Sequence, residues 1–370
     1  MPNRIVPFTR EFEPAVRALN ERLRAGGSDW EFPETSSRDR SDTTDAYYFE
    51  DFLVVDDDGN VRGGYILKHQ DFSIDQDVTP MANYTLPVSE GIVDRKFGMI
   101  GVSMILDAQK REAFLFDLGL GSMEAPSARV MKGVGWSLTP VPFLFRVIRP
   151  SNFLRQIRYA RSSTTRRLLL DTLAFTGLGW LGNAVVSVVK RHVPAAIKSL
   201  AVECVAEFGS WADEIWEAGR RDYHFTAVRD AETLNALYPP SDARYHRLKV
   251  SLGGVPVGWA LVLNTTMDGH KQFGDMKVGS IADCFAPMQS ALAVAYGADR
   301  FLSGGGVDLI VSNQSNAAWC AALRKIGYLD GPSNFILTTS KRLSQLIGPL
   351  EEVLSTSHFN RGDGDGPIHL

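Results

Sequence analysis

Residues Thr85–Arg111 read TLPVSEGIVDRKFGMIGVSMILDAQKR. Apolar and β-branched residues run to Val93, Asp94, Arg95 and Lys96 interrupt them, and Gly98 and Gly101 precede the helical stretch VSMILDAQKR. That is the pattern of a strand, a glycine-bearing turn and the opening of a helix. Such a turn aims successive backbone N–H groups, and the positive end of a helix dipole, at one spot outside the sheet that suits a phosphate. A plain strand-to-helix turn looks the same, so the rest of the chain has to decide between the two.

At 370 residues the chain is long for one core and natural for two domains. A formal charge of −4, without a basic stripe interleaved with aromatics, argues against nucleic acid as a partner. Cys204, Cys284 and Cys320 lie far apart with no CxxC or Cys/His spacing. No metal motif is read from them, and a reducing cytoplasm is the expected compartment. The N-terminal MPNRIVPFTREFEP lacks the apolar run of a signal peptide. Leu168–Val189, LLLDTLAFTGLGWLGNAVVSVV, is as long as the roughly 20 residues that span a bilayer. Its glycines, Asn183 and Asp171 favour a buried interdomain helix or helical hairpin, and a peripheral membrane contact through 168–189 stays open.

Taken in order, Ile5–Thr9 reads as a strand and Arg10–Arg24 as a helix with Phe12, Val16, Leu19 and Leu23 on one face. Gly26–Asp45 is a polar loop. Tyr47–Val55 and Val61–His69 form a hairpin around Asp58-Gly59-Asn60. After the opening stretch, Ala113–Leu118 is a buried strand, Ala125–Val134 a helix and Val141–Ile148 a strand. Ser151–Leu200 is a helical connection. The order then begins again: strand Ala201–Phe208, helices Ser210–Arg221 and Thr226–Leu237, and a hairpin of Tyr245–Leu252 with Val255–Leu263. Strand Lys277–Phe285, helix Met288–Leu302, strand Val307–Val311, helix Asn316–Ile326 and strand Phe335–Thr339 complete it. The tail after Ser355, with NRGDGDGP, reads as disordered. Two halves with one order of elements make an internal repeat of tandem domains: 1–150, a connection 151–200, 201–345, and a tail 346–370.

At this point the chain resembles the GNAT superfamily of acyl-CoA-dependent N-acyltransferases. SNQSNAAWCAALRKIGYL is similar to the family's late helix, with Asn316 opening it and Lys325-Ile326, Gly327 and Tyr328 closing it. Lys132-Gly133-Val134-Gly135-Trp136 is the counterpart in the first half. The opening stretch falls where the family keeps its pyrophosphate loop, R/Q-x-x-G-x-G/A. Read from Arg95 the match holds at Gly98 and ends on Ile100; read from Gly101, Lys96 and Met99 depart from it. The second half lacks the loop, because Pro287-Met288-Gln289 follows Ala286. The tyrosine with which many members protonate the departing thiolate is replaced by Leu323 and Met131.

The resemblance implies an α+β fold of two GNAT-like domains with mixed sheets, joined by the helical connection. It implies acetyl-CoA or another acyl-CoA as co-substrate and direct transfer to a small-molecule amine. An amino sugar in polysaccharide synthesis is the expected acceptor by analogy. It places CoA on Gly91, Ile92, Val93, Arg95, Lys96, Gly98, Met99, Ile100 and Gly101, with strand Leu86–Val93 splayed from Ala113–Leu118 for the pantetheine arm.

For the chemistry itself, Glu90 reads as a mid-strand carboxylate ahead of the loop, able to act as base. A backbone N–H near Gly91–Val93 is expected to polarise the thioester. His69, at the end of its hairpin strand, is a second candidate base or a surface imidazole, and Asp71 a substrate contact. Asp283, at the position of Glu90 in the second half, is either a substrate contact in the cleft between halves or a polar residue on a solvated face. Cys284 has no nearby histidine in sequence and reads as a buried thiol. A non-catalytic GNAT-derived scaffold, or an aminoacyltransferase similar to the Fem peptidyltransferases, are the rival readings.

Overall fold

The computed structural model describes residues 3–37, 43–156, 197, 200–270, 273–333 and 335–364. Leu168–Val189 lies outside them, and no helix among the described residues is long and apolar enough to cross a membrane. The chain divides into two compact units, Met1–Pro140 with Asn334–Val353, and Val141–Ser333 with Leu354–Leu370.

In the first unit β1 (Arg4–Pro7), α1 (Glu13–Ala25), β2 (Tyr48–Val55), β3 (Val61–Ile74) and β4 (Asp77–Ser89) lead to α2 (Ile100–Arg111). β5 (Leu115–Leu120), α3 (Pro126–Gly133) and β6 (Ser137–Pro140) follow. The second unit takes β7 (Phe143–Val147), α4 (Pro150–Gln156), β8 (Ala201–Val205), α5 (Ser210–Gly219), β9 (Phe225–Ala227) and α6 (Ala231–Leu237). It continues with β10 (His246–Leu252), β11 (Val255–Thr266), β12 (Lys277–Phe285), α7 (Ala291–Gly304), β13 (Leu309–Asn313), α8 (Ala317–Lys325) and β14 (Leu329–Gly331). β15 (Phe335–Thr339), α9 (Lys341–Ile347) and α10 (Leu350–Val353) return to the first unit.

The first sheet runs β1-β2-β3-β4-β5-β15-β6 and the second β14-β7-β13-β12-β11-β10-β8. β4–β5 and β12–β13 are the parallel pairs; the other neighbours are antiparallel. Each sheet therefore has one strand from the other half of the chain. β15 lies between β5 and β6, and β7 between β13 and β14. This exchange is why the units part at Val141 and Asn334, where the segmentation read from sequence has 150 and 345.

The late helices of the two units end in the same way. α3 and α8 both end in a glycine of positive φ, Gly135 at 87° and Gly327 at 101°. The aromatic that follows donates its N–H back into the last turn: Trp136 to Met131 O at 3.0 Å, Tyr328 to Leu323 O at 3.1 Å. This is a left-handed C-cap, which satisfies carbonyls the helix leaves open, and the aromatic closes it from the core side.

Two expectations about the hairpins change. β3 and β4 form one long ribbon whose tip, Asp75-Gln76, has both residues at positive φ, 47° and 81°. Neither is Gly or Asn, and Gln76 in particular carries no signal for positive φ. Residues from Thr226 begin with β9, and α6 starts only at Ala231, where Asp230 caps Thr233 N at 2.8 Å.

Candidate functional site

β4 and β5 pair only at Ala82–Leu115 and Asn83–Phe116. Beyond that point Thr85–Ser89 stay with β3, and Asp117–Leu120 with β15, so the two strands part as expected. At the parting β4 carries a bulge. Ile66 pairs with Thr85 and Gly64 with Val88, leaving Leu86 and Pro87 opposite Tyr65. Leu86 has φ 48°, a left-handed conformation held directly before a proline, where the backbone is normally confined to extended values. Strain of this kind persists only where its surroundings over-determine it, and it concentrates at working sites.

The bulge moves the oxyanion expectation. Gly91–Val93 belong to a 3-10 turn, Glu90–Ile92, in which Val93 N and Asp94 N both donate to Glu90 O, at 3.0 and 2.9 Å. Val93 N is spent inside the turn, and Gly91 packs so closely on Phe97 that a Cβ would lie 2.8 Å from Phe97 O. Ile92 points outward.

Glu90 is likewise not mid-strand. It is buried just past the end of β4, and Arg22 Nε and Nη2 reach its two carboxylate oxygens at 3.0 and 3.2 Å. Arg62 Nη1 adds a third bond at 2.9 Å, while its Nε pairs with Asp56 at 2.8 Å. A carboxylate held by two guanidiniums ties α1, β3 and the turn together.

The glycine turn itself has the shape the sequence anticipates. Arg95–Phe97 is a 3-10 turn capped by Asp94, whose carboxylate accepts from Lys96 N at 3.1 Å. α2 starts at Ile100, and its N-cap residue Met99 offers no side-chain cap. Ile100, the departure from the family pattern, turns its side chain into the core beside Met104 and Ala108. Met99 is 72% exposed and does not plug the turn, and a Cβ at Gly101 would meet nothing within 4 Å. Phe97 lies between two cations, with Arg62 and Lys96 each 4.6 Å from its ring centre. Arg95 is exposed and makes no ion pair among the described residues, which leaves its charge available beside the start of α2.

Sequence reasoning missed three buried polar groups at the parting of the strands. Asn83 stands at the last β4–β5 pair, directly across β3 from Lys68, and neither atom of its amide has a partner among the described residues. On the other face Tyr84 and Trp136 pack edge to face, centroids 6.3 Å apart, with Tyr84 Oη and Trp136 Nε1 also unpartnered there. Burial, then the neighbouring Tyr65, Asp117 and Asp107, push the Tyr84 phenol well above its usual range, so it remains a donor. An Asn inside an apolar strand was the available signal.

His69 is placed elsewhere. It pairs with Ala82, whereas Gly63 pairs with Ser89 at the turn, and the six residue steps along β3 from one to the other span about 20 Å. Its ring stacks on Tyr48, and Nε2 lies 3.1 Å from Glu50 Oε2. Glu112 joins this group from the end of α2, giving three possible metal ligands that no sequence spacing betrays. Asp71 sits two residues further along β3, opposite Pro80.

In the second unit the corresponding opening is filled by the chain's own tail. β12 and β13 pair from Val278–Leu309 to Ile281–Ser312 and then part. Ser357–Asp363, expected to be disordered, is buried there. His358 Nε2 donates to Cys284 O at 2.7 Å on the β12 side, and Ser315 N to Phe359 O at 2.9 Å on the β13 side. Asn360 Nδ2 donates to Asp283 Oδ1 at 2.7 Å, and Arg361 Nη2 to Asn313 Oδ1 at 3.0 Å. Asp283 is thus neither on a solvated face nor open to substrate. It also accepts from Tyr238 Oη at 2.7 Å and Arg229 Nε at 3.2 Å, and Arg229 clamps Asp363 at 2.7 and 2.8 Å. The Cys284 thiol is buried and pushed well up by that burial, as the sequence reading anticipates. The helix start after β12 is closed as well: Met288 N donates to Asp222 Oδ2 at 2.7 Å, a carboxylate where a phosphate would go.

Solved structures share this architecture. N-myristoyltransferase of Saccharomyces cerevisiae with bound myristoyl-CoA matches 92% of the chain, over 83% of its own length, at 9% identity and a TM-score of 0.53. The chain has the GNAT fold. A conserved protein of unknown function from Enterococcus faecalis V583, described as a probable N-acyltransferase, matches 94% of it over 75% of its own length. There the identity is 12% and the TM-score 0.51. No family model and no curated protein matches the sequence. At this identity the likeness shows the GNAT fold, with its mixed sheets and helices, and the chemistry rests on the residues above.

Proposed function

We propose that the chain is an acyl-CoA-dependent N-acyltransferase with one donor site, at the Arg95–Gly101 turn and the opening between β4 and β5. The contrast between the units carries this reading. In the second unit the tail fills the opening and Asp222 caps the helix start, while in the first α2 begins uncapped beside a strained bulge. Backbone N–H groups at the start of α2, with Arg95 and Lys96, would hold the pyrophosphate. The acceptor nitrogen attacks the thioester carbon, the new C–N bond replaces the C–S bond, and the thiol leaves protonated by the proton the amine gives up. Small primary amines, amino sugars and their nucleotide-linked forms first, are the acceptors to assay.

One observation favours a rival, a GNAT-derived binding protein without turnover: the carboxylate nearest the turn, Glu90, is committed to Arg22 and Arg62. Calorimetry with acetyl-CoA and longer acyl-CoAs, followed by thiol release in the presence of amines, separates the two. Binding with release supports the transferase. Binding without release supports the rival, and no binding of any acyl-CoA at millimolar concentration removes the donor site from both.

A further inference from the structure

Glu50, His69 and Glu112 come from three elements of the first unit, β2, β3 and the residue that ends α2. One ligand atom of each lies within 4.8 Å of the other two, and His69 Nε2 is 3.1 Å from Glu50 Oε2. The imidazole is buried and its aim is fixed, because the ring lies flat on Tyr48 with centroids 4.2 Å apart and planes 10° from parallel. The two glutamates are half-buried, which leaves the group open to solvent on one side.

The Glu112 carboxylate has no hydrogen bond or ion pair among the described residues, and it sits at the C-terminus of α2, the negative end of that helix dipole. Two carboxylates, the negative end of a helix and one imidazole converge here. One nitrogen and two carboxylate oxygens on separate elements form the donor set of a first-row transition metal. Calcium and magnesium prefer more oxygens and no imidazole. The 3.1 Å separation of Nε2 and Oε2 also suits two ligands of one ion with bonds of about 2.0–2.2 Å.

We propose that Glu50, His69 and Glu112 bind a divalent transition-metal ion that ties the end of α2 to the β2–β3 ribbon. About 20 Å of strand separates this site from the glycine turn, so it is independent of the donor reading.

The test uses the full chain without a histidine tag, stripped with chelator and titrated with zinc by calorimetry and with cobalt by visible absorption. The expected result is one ion per chain, a cobalt d–d band, and a melting temperature raised by zinc. Glu112→Gln and Glu50→Gln should each weaken binding at least about tenfold and lose the zinc-induced rise. Melting of the metal-free variants close to that of the metal-free wild type shows that they are folded. Failure of the wild type to bind either metal, or variants that bind as tightly as the wild type, overturns the site.

Discussion

His358 Nε2 donates to the backbone carbonyl of Cys284 at 2.7 Å, so a tail residue takes the place on β12 that a neighbouring strand or a bound ligand would take. Burial and the charge of Arg229 hold this imidazole well below its usual pKa, which keeps it neutral and a fixed donor. The tail is a structural part of the second unit. Asp283→Ala would strip Arg229, Tyr238 and Asn360 of their shared acceptor, and a buried charge left short of its partner costs about 3–5 kcal/mol. Urea unfolding should show that loss. A change under about 1 kcal/mol would mean the tail is not anchored as described.

Asp363 gives the second unit a pH dependence of unusual sign. Burial and the nearby Asp283 raise its pKa to about 6 against the pull of Arg229. A carboxyl raised in the folded state binds its proton more tightly there, so its contribution is fully present below the ordinary carboxyl range and lost as pH rises through 6. Unfolding midpoints should therefore climb as pH falls from 7 to 5, and Asp363→Asn should flatten that slope. An equal slope in both proteins would assign the effect to other groups.

Tyr84 carries a buried hydroxyl with no partner among the described residues, and removing such a donor relieves its desolvation cost. Tyr84→Phe is expected to raise the stability of the ligand-free protein by about 1 kcal/mol, read from the melting temperature. A destabilised variant would show that the hydroxyl has a partner.

Glu90→Gln separates structure from catalysis. As a clamp for Arg22 and Arg62, Glu90 should cost about 1–3 kcal/mol of stability when neutralised. Turnover of the folded variant should change less than about tenfold, whereas a general base supplies roughly 10²–10⁴. A loss of that size at unchanged KM would return Glu90 to the chemistry.

Much of this architecture is local and was legible. Periodicity gives α1 and α2, Asp58-Gly59-Asn60 and Gly253-Gly254 give their hairpins, and Asn316 caps α8 through Ala318 N at 2.9 Å. Trp216, Trp259 and Trp319 are buried in the core of the second unit. What stayed hidden depends on distant partners. Glu90 meets an arginine 68 positions away, and β15 reads as a strand whichever sheet receives it. The tail has the composition of a loose end, yet Asn360 and Asp363 cap each other in a box and Arg229 waits in the core for Asp363. His69, Glu50 and Glu112 meet only once three elements are placed.

The claim of a single donor site is tested most directly by calorimetry with CoA on wild type and Gly101→Asp. Gly101 is in the first turn of α2 with open space around it, so an aspartate there suits the helix dipole and should leave the melting temperature unchanged or slightly higher. The same carboxylate repels a phosphate, as Asp222 would at the second unit's helix start. One CoA per chain in the wild type, and none in the folded variant, is the predicted result. Equal binding by both proteins, or two molecules per chain, would contradict it.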